Sequence, residues 1–578
     1  MKKILPTHEQ ETILNWNDNA VIIAGPGSGK TWTLAKKIEQ ILPYCKYYQG
    51  IIAISYTNKA SKELENRAKN FCKETKASFF GTIDGFCSRE IVLSFGKHFM
   101  GVPNKKIIIE KTFDTEKIEK IKDIKKEITD LIEKYSSINI NILNKDGTSP
   151  YYYLSEESQE YLEGNFKNGN VDLNLLAPLA YLIFISSIPC QQYMKAKYKF
   201  LFIDEFQDSS LEQYNLFKRL VELGIKGWVV GDLNQSIYSF KSGNPQYMKD
   251  LIKVYKFKDF SMKINHRCHP YIQLYAKAFL DIQSTKTHTS FSNKNSRIIR
   301  VSIDGNQYNI GEWINNKIES LLSYTKTKYR SDIIILARNH NTLNIISQAL
   351  RIPYRFHRKI QLDSDGSLGG NMLRQLLMIA FNPANYTILD FIEIHFNKSI
   401  PGSMNNIKKV KLLVELFINK CRDNDRWSSK KNTLLSDFNN LVQEIYPEYT
   451  LNNNTILAFE ELINSPVFLD VFKPTNSNEI QLMTIHGAKG LEFNVVLHLD
   501  LYEDEFPSYA SKDNLIKQQE DVNLHYIALT RAKNHVFLLT SSRKQIFSKK
   551  YMKVYENPKQ PSPYITGEIE RYQQIVKK

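Results

Sequence analysis

The stretch Val21–Thr31, VIIAGPGSGKT, decides the fold of this chain. Its first residues are apolar and predict a buried strand, and the following WTLAKKIEQIL, residues 32–42, has the apolar spacing of a helix. Glycine lets the backbone approach a ligand closely, and the first N–H groups of a helix have no intrahelical partner. A strand, a glycine-rich loop and a helix in this order therefore predict a phosphate-binding loop.

The side chains of this loop have separate tasks at a nucleoside triphosphate. We expect Lys30 to reach the β- and γ-phosphates and the Thr31 hydroxyl to bind Mg²⁺. Ala24 stands where the strict G-x-x-x-x-G-K-[ST] pattern has glycine, and alanine is an accepted variant there. The loop backbone that surrounds the phosphates is predicted to comprise Gly25, Pro26, Gly27, Ser28 and Gly29.

Further apolar strands alternate with helical segments downstream, at 51–55, 200–203 and 228–232. Repeated strand–helix units predict a parallel sheet whose ligands bind beyond the carboxyl ends of its strands. Asp204 and Glu205 follow one such strand directly, so we assign Asp204 to Mg²⁺ and Glu205 to the attacking water. An acidic pair is also typical of a solvated helix start, but the preceding strand favours the catalytic interpretation.

Size, charge and cysteine content narrow the class of protein. At 578 residues the chain is long enough for several domains. Its net charge of +16 predicts a polyanionic partner such as nucleic acid, although heavy use of Lys, Asn and Ile throughout explains part of it. Six scattered cysteines without a CxxC pair argue against zinc, iron–sulfur and disulfide sites and favour a reducing cytoplasm. We find no apolar window long enough for a membrane span.

Two regions depart from the strand–helix rhythm, and we interpret both as insertions. In the first, EKIEKIKDIKKEITDLIEKY at 116–135 predicts a charged amphipathic helix, and the Asn-, Ser-, Gly- and Tyr-rich stretch 139–170 predicts loops. The second, 363–474, is helical with apolar patches. Elsewhere, Tyr238 and Phe240 alternate with Ser239, so they either stack together on bases or pack as two core aromatics.

Five segments, in this order along the chain, carry a family resemblance. They are ISYTNKASKEL (54–64), LFIDEFQDSS (201–210), VVGDLNQSIYSF (229–240), LMTIHGAKGLEF (482–493) and YIALTRAK (526–533). The chain resembles the UvrD/Rep/PcrA-type superfamily 1 DNA helicases over residues 5–92, 186–360 and 475–545. This resemblance implies an α/β P-loop NTPase with two RecA-like parallel-sheet motor domains, each carrying a mainly helical insertion.

The same resemblance implies a division of the chain into domains. The first motor domain would comprise residues 1–92 and 186–270, with the first insertion at 93–185. The second motor domain would comprise 271–362 and 475–578, with a shortened second insertion at 363–474. The shortening bears on duplex handling, because this insertion regulates unwinding in the family.

The resemblance also implies the members of an ATP site. Gln10 takes the adenine-reading position, and Gln235 takes the position that couples the γ-phosphate to DNA. Arg267 and Arg531 match arginines that reach the γ-phosphate from the two motor domains, a role that suits a permanent, forked charge. Glu492 matches a carboxylate near the nucleotide sugar or γ-phosphate. Together with Lys30, Thr31, Asp204 and Glu205, these residues would bind and hydrolyse ATP with Mg²⁺.

DNA contacts are implied at a second set of positions. Lys489 belongs to a motif that touches DNA and nucleotide together. Three residues depart from the family pattern: Asp84 replaces a histidine near DNA, His266 a tyrosine that stacks on adenine, and Trp32 a frequent arginine. The predicted DNA-binding residues are Tyr56, Asn58, Thr82, Tyr238, Phe240, Arg338, Thr484 and His486.

These assignments predict an ATP-dependent 3′–5′ DNA helicase or translocase that acts on single-stranded DNA or on 3′-tailed duplex. One alternative is a DNA-stimulated ATPase without independent unwinding that works with a partner nuclease, as compact family members do in phage-defence operons. A second alternative is a nucleotide-gated DNA sensor with a weak ATPase. The sequence leaves the pathway open among DNA repair, replication and defence.

Overall fold

The computed structural model describes residues 5–55, 58–72, 74–140, 143, 149–237, 244–284, 296–395, 403–423, 431–548 and 553–577. Two parallel β-sheets organise these residues, and helices cover the sheets. The α/β class predicted from the sequence is confirmed. No helix in the described ranges combines the length and the apolar composition that crossing a membrane requires.

The first sheet is built from the first part of the chain. Among the described residues it has six strands in the order β3-β2-β6-β7-β1-β8, all paired in parallel. Two further strands, β4 and β5, pair with each other outside this sheet. The strands as far as residue 262 are β1 (Ala20–Ala24), β2 (Gly50–Ile54), β3 (Phe79–Gly81), β4 (Ile108–Glu110), β5 (Asn170–Asp172), β6 (Tyr198–Ile203), β7 (Lys226–Gly231) and β8 (Lys258–Met262).

The strands predicted at 21–23, 51–55, 200–203 and 228–232 are confirmed as β1, β2, β6 and β7. The edge strand β8 escaped prediction because its sequence, KDFSM, is mostly polar and solvent-exposed. It pairs with β1 from Ala20↔Lys258 to Ala24↔Met262. An edge strand is buried on fewer sides than a central one, so it has no need of an apolar run.

The second sheet is built from the last part of the chain. In the described residues it has seven parallel strands in the order β11-β12-β10-β13-β14-β9-β17, and β15 and β16 form a separate antiparallel ribbon. The strands are β9 (Ile298–Ile303), β10 (Ile333–Ala337), β11 (Tyr354–Phe356), β12 (Ile480–Thr484), β13 (Phe493–His498), β14 (Ala532–Ser541), β15 (Arg543–Ser548), β16 (Lys553–Pro558) and β17 (Gln574–Lys577).

The α-helices of the first half are α1 (His8–Leu14), α2 (Lys30–Ile41), α3 (Asn58–Phe71), α4 (Ile83–Phe86), α5 (Leu93–Phe95), α6 (Lys97–Met100), α7 (Thr115–Tyr135), α8 (Glu156–Lys167), α9 (Leu176–Ser186), α10 (Ile188–Lys197), α11 (Leu211–Glu222), α12 (Gln246–Lys253) and α13 (Pro270–Gln283). A π-helical turn, Cys87–Val92, joins α4 to α5. The α-helices of the second half are α14 (Gln307–Thr325), α15 (His340–Ala349), α16 (Leu368–Phe381), α17 (Ile388–His395), α18 (Ser403–Arg422), α19 (Lys431–Ile445), α20 (Asn453–Asn464) and α21 (Leu515–Thr530).

Short 3₁₀ helices connect several of these elements. One of them follows the acidic pair after β6 and another follows β7, so both lie at the carboxyl edge of the first sheet. The 3₁₀ helices are Leu42–Tyr44, Pro150–Tyr153, Phe206–Asp208, Leu233–Gln235, Arg330–Asp332, Gln361–Asp363, Pro466–Phe472, Tyr509–Ser511 and Gly567–Tyr572.

The first insertion is more helical than its sequence suggested. The predicted charged helix is confirmed as α7, which Asp114 caps by accepting the N–H groups of Glu116 and Lys117. The prediction of loops over 139–170 is wrong in part, because α8 lies there. Its buried residues are Ser158, Leu162 and Phe166, a four-residue spacing that the polar composition obscured.

The two insertions differ in how they are packed. Buried residues of α7 and α9 belong to the same apolar cluster as Val21 of β1 and Ile52 of β2, so the first insertion shares a core with the first sheet. Helices α16 and α18–α20 instead enclose an apolar cluster of their own. The second insertion is therefore the more self-contained of the two.

Candidate ATP site and nucleic-acid face

The candidate ATP site begins at the carboxyl edge of the first sheet. The phosphate loop follows β1, Asp204 follows β6, Asp232 follows β7, and the segment 263–267 follows β8. Because β1 lies between β7 and β8, parallel pairing brings these four strand ends together at one edge. Residues far apart in sequence thus meet where the strand–helix pattern predicted a ligand.

The phosphate loop requires its glycines. Gly27 and Gly29 have φ angles of 69° and 88°, in the left-handed region that side chains rarely adopt. A Cβ at Gly27 would also lie 2.5 Å from Cβ of Arg267, and one at Gly29 would lie 2.8 Å from Nε2 of Gln10. The N–H of His266 donates to the Gly27 carbonyl at 2.9 Å. The loop is therefore packed directly against the segment that carries Arg267.

The predicted catalytic lysine, Lys30, and the acidic pair lie within reach of one another. Nζ of Lys30 is 3.1 Å from Oε1 of Glu205, and Oγ1 of Thr31 is 3.5 Å from Oδ2 of Asp204. Glu205 has a left-handed φ of 56°, and its N–H donates to Oδ1 of Asp204 at 2.9 Å. A non-glycine residue held in this region stores backbone strain, which is characteristic of functional sites.

Burial and charge set the protonation states of this group. Burial raises the pKa of Asp204, and the neighbouring Glu205 raises it further. Burial also opposes ionisation of Glu205, but the ammonium groups of Lys30 and Lys489 outweigh it and lower the pKa of that carboxyl. Burial lowers the pKa of Lys30, yet Glu205 and Asp204 raise it above its ordinary value. Lys30 and Glu205 therefore form a charged pair.

Asp204 and Thr31 present the hard oxygen ligands that Mg²⁺ prefers. Asp204 is a buried carboxylate whose ionised form is disfavoured, so a divalent cation beside it would offset the cost of its burial. The described residues contain no group of three or more His, Cys, Asp or Glu suited to holding a metal. A cation at this point would thus complete its shell with nucleotide oxygens and water, as Mg²⁺ commonly does.

Arg531 reaches the site from the second sheet. Its side chain is fully buried, and it donates to the Leu491 carbonyl at 3.1 Å and to Oε1 of Gln235 at 3.2 Å. Gln235 in turn donates to Oδ2 of Asp232 at 2.6 Å. Burial, with Arg267 nearby, lowers the pKa of Arg531 to about 10. A chain of hydrogen bonds thus joins the two sheets across the cleft.

Arg267 and Glu492 form a second link across the cleft. Nε of Arg267 is 2.8 Å from Oε2 of Glu492, and Nζ of Lys533 is 2.7 Å from the other carboxylate oxygen. Burial opposes ionisation of Glu492, but Lys533 and Arg267 outweigh it and lower the pKa of the carboxyl. The predicted γ-phosphate arginine is thus held by Glu492, the carboxylate predicted to lie near the nucleotide sugar or γ-phosphate.

Gln10 lies against the phosphate loop, and its assignment to the adenine stays a prediction. Its Nε2 donates to the Ser28 carbonyl at 3.3 Å, and its Oε1 accepts the N–H of Thr7 at 2.9 Å as part of the capping box of α1.

The residues that depart from the family pattern differ in their burial: Trp32 is half-buried on α2, whereas Asp84 and His266 are exposed.

Two residues at the cleft, Gln207 and Asp208, were given no role in the sequence analysis, whereas their neighbour Lys489 was. Nζ of Lys489, on the second sheet's side, is 2.6 Å from Oδ2 of Asp208 and donates to the Gln235 carbonyl at 2.7 Å. Gln207 donates to Oε2 of Glu205 at 2.6 Å, and its Oε1 accepts the Asp232 N–H at 3.1 Å. Their signal was position alone, since Gln207 and Asp208 lie in the 3₁₀ helix Phe206–Asp208, which begins right after the acidic pair.

The predicted DNA contacts are only partly described. Tyr56, Tyr238 and Phe240 lie outside the described residues, and Asn58 is described only as the first residue of α3. The Thr82 hydroxyl caps α4 by accepting the Gly85 N–H at 3.2 Å. Their assignment to DNA stays a prediction.

On the second sheet, the predicted DNA contacts share one edge. Arg338 follows the carboxyl end of β10, Thr484 ends β12, and His486 comes two residues later. Arg338 and His486 line one cavity of about 240 Å³, together with Ile237, Lys517 and Asp521.

Arg338 is held firmly at this cavity. It forms an ion pair with Asp521, donates to the Glu505 carbonyl at 2.9 Å, and lies 4.9 Å above the Phe506 ring. Thr484 accepts the Gly487 N–H at 3.3 Å. A single segment, 485–492, then runs from this edge to the amino end of β13, where Glu492 stands. It therefore spans the distance between the predicted DNA contacts and the candidate ATP site.

Comparisons with known proteins agree with this geometry. Residues 5–256 match the UvrD/REP helicase N-terminal domain, and residues 377–543 match the UvrD-like helicase C-terminal domain. The Gabija protein GajB of Bacillus cereus (strain VD045) is 28% identical over 546 residues, which cover 93% of this chain and 95% of that protein.

Two helicases are similar over a comparable length. The ATP-dependent DNA helicase Rep of Buchnera aphidicola subsp. Acyrthosiphon pisum (strain APS) is 26% identical, covering 90% of this chain and 92% of its own. The ATP-dependent DNA helicase PcrA of Bacillus subtilis (strain 168) is 23% identical, covering 94% and 84% respectively. With both domain matches and two parallel sheets, the chain belongs to the UvrD/Rep/PcrA family of ATP-dependent DNA helicases.

Proposed function

We propose that this protein is an ATP-driven motor that moves 3′ to 5′ along single-stranded DNA and unwinds 3′-tailed duplex. The observation that carries the proposal is the reach of buried Arg531, from the second sheet, to Gln235 at the edge of the first. A nucleotide bound at the phosphate loop would sit between the two sheets, so its binding and hydrolysis would change how the sheets contact each other.

Each residue of the cleft has a role in this mechanism. Lys30 would bind the β- and γ-phosphates, and Glu205 would orient the attacking water and accept its proton. Thr31 and Asp204 would hold Mg²⁺, which neutralises charge on the phosphate oxygens when bound. Arg267 and Arg531 would stabilise the charge that develops on the γ-phosphate.

Motion along DNA would follow from two states of the cleft. A closed, ATP-bound state and an open state that differ in their affinity for DNA convert hydrolysis into direction. The domain division predicted from the sequence, with motor domains at 1–92/186–270 and 271–362/475–578, is part of this proposal. The two sheets and the separate core of the second insertion support that division.

A second candidate is a DNA-stimulated ATPase that works with a partner nuclease in antiviral defence and does not unwind DNA alone. The match to a Gabija protein over nearly the whole of both chains supports it. In this case the motor would remodel or move along DNA, and cutting would fall to the partner.

The experiment that tests the motor is ATPase rate against oligo-dT length, with Glu205→Gln as the inactive control. A rate that climbs with length and then saturates supports translocation. A rate that DNA stimulates but length does not change contradicts it. Unwinding of 3′-tailed, 5′-tailed and blunt duplexes then separates the candidates: a helicase unwinds the 3′-tailed substrate, whereas the second candidate unwinds none of them alone.

A further inference from the structure

The segment Gln235–Ile237 comes after a strand of the first sheet along the chain, but its backbone carbonyls are bound by side chains from the second sheet's side. It begins at the last residue of the 3₁₀ helix Leu233–Gln235, which comes after β7. The Gln235 carbonyl accepts from Lys489 at 2.7 Å, and the Ser236 carbonyl accepts from Nδ2 of Asn523, on α21, at 2.8 Å. We propose that Ile237 and Asn523 are positioning residues that couple DNA binding to ATP hydrolysis, by fixing this segment to the second motor domain.

Ile237 anchors the segment through apolar packing. Its exposed fraction is 2%, and it belongs to the buried cluster of the second sheet that contains Met483, Ile485 and Leu524. A buried isoleucine resists withdrawal, because withdrawal would expose its side chain to water and leave a cavity behind. The segment therefore follows the second sheet when the two sheets move relative to each other.

The other end of the segment is fixed to the first sheet. The Gln235 amide donates to Oδ2 of Asp232 at 2.6 Å, and the Asn234 N–H donates to Oδ1 of the same carboxylate at 3.0 Å. Gln235 is thus held by Asp232 on one side and by Arg531 on the other. A shift of the segment changes the distance between Gln235 and the arginine that would contact the γ-phosphate.

Ile237 also lines the cavity that contains Arg338 and His486, the predicted DNA contacts of the second sheet. A nucleic acid that enters this face would press on the apolar end of the segment, while ATP contacts its Gln235 end. Asn523 is buried, and its described contacts include neither the cavity nor the phosphate loop. Its amide donates to the Ser236 carbonyl and accepts from Nε2 of Gln519 at 2.9 Å. Its effect on hydrolysis would run through the segment alone.

This inference rests on the proposed DNA-stimulated ATPase, and its test uses the full chain. The variants are Asn523→Ala, Ile237→Ala and the conservative Ile237→Val. Matched controls are Asn315→Ala, which removes a similar bond from an Asn amide to the Ala349 carbonyl at 2.8 Å, and Ile565→Ala, which removes a buried isoleucine from the same apolar cluster. Each is measured for ATPase kcat and KM with and without oligo-dT, and for oligo-dT affinity by fluorescence anisotropy.

We expect Asn523→Ala to keep its DNA-free kcat and its KM for ATP, and to lose about tenfold or more of its stimulation by oligo-dT, with affinity for the oligonucleotide within about twofold of the original. Ile237→Ala should lose stimulation in the same way and Ile237→Val should regain it. The controls should retain stimulation, which separates coupling from a general loss of packing.

Two results would overturn the inference in distinguishable ways. If the unmodified protein is stimulated by DNA and Asn523→Ala is stimulated equally, the coupling role fails while the motor stands. If DNA does not stimulate the unmodified protein, the proposed function fails and the inference fails with it. Should Ile237→Ala not fold, Asn523→Ala decides alone, because it removes only the hydrogen bonds to Ser236 and Gln519 and little volume.

Discussion

Two contact regions join distant parts of this chain, and the ion pairs in them differ in their exposure to water. In the cleft between the sheets, Lys489 and Asp208 have side-chain exposures of 10% and 1%. Where the second insertion meets the first part of the chain, Lys62 and Asp390 lie 3.1 Å apart with exposures of 47% and 33%. Lys105 and Glu448, a further pair at that contact, are more exposed still.

The difference in burial indicates that the cleft pair and the insertion pairs have different roles. Charges withdrawn from water lose more hydration energy than their attraction commonly returns, so a buried pair is a weak source of stability. Oδ1 of Asp208 also has no hydrogen-bond partner among the described residues, although it is buried. A costly arrangement of this kind is expected where a site must bind ligands and change state.

The contact between the insertions is not uniformly weak. Oε2 of Glu110 accepts from the Tyr449 hydroxyl at 3.0 Å and from the Leu368 N–H at 3.1 Å, and the Lys111 N–H donates to the Gly366 carbonyl at 3.2 Å. These neutral donors cover the carboxylate without a buried cation. The insertions are thus joined by neutral hydrogen bonds as well as by exposed charge pairs, whereas the cleft contains the buried charge pair of Lys489 and Asp208.

The largest effect on activity is expected from removing the carboxylate that would act in hydrolysis. Glu205→Gln keeps the size of the side chain but removes the carboxylate that would accept a proton from water. We expect kcat for DNA-stimulated ATP hydrolysis to fall by roughly 10²- to 10⁴-fold. Phosphate release at saturating oligo-dT measures it, and a loss smaller than about tenfold would contradict the assignment.

Removing one partner of the buried cleft pair is expected to cost stability. Lys489→Met leaves Asp208 buried opposite an apolar side chain, and breaking such a pair costs roughly 3–5 kcal/mol of the free energy of unfolding. Chemical denaturation measures the loss. The double variant Lys489→Met/Asp208→Leu should recover most of it, because it removes the uncompensated charge. A double variant as unstable as Lys489→Met would contradict the explanation.

The free energy of unfolding should vary with pH because of the Asp208 carboxylate. Burial raises the pKa of Asp208 from 3.8 to about 6. The folded state therefore binds this proton more tightly than the unfolded state, and the contribution of Asp208 to stability falls as pH rises from about 4 to about 6. The expected loss across that window is about 2–3 kcal/mol relative to Asp208→Asn. Unfolding curves for both proteins at several pH values measure it, and parallel profiles would contradict it.

Local patterns predicted the parts of this site that local geometry determines. The phosphate loop, the acidic pair and Gln235 each follow a strand end, and strand ends are visible as apolar runs. The pairing of Lys489 with Asp208 joins residues 281 positions apart, and that of Glu110 with Tyr449 joins residues 339 apart. Such pairs leave no local signal, because they depend on how complete sheets and insertions pack.

Removing an exposed ion pair at the insertion contact should have the smallest effect on the free energy of unfolding. Lys62→Ala removes an ammonium group that is 47% exposed and shared between Glu65 and Asp390. Water and salt screen such a charge, so we expect the free energy of unfolding to change by less than about 1 kcal/mol. DNA-stimulated ATPase activity should stay unchanged, since none of the cleft contacts in the described part of the chain involves this lysine. A loss as large as that of Lys489→Met would mean that exposure does not separate the two contacts, and that the insertion contact is instead a part of the motor's working state.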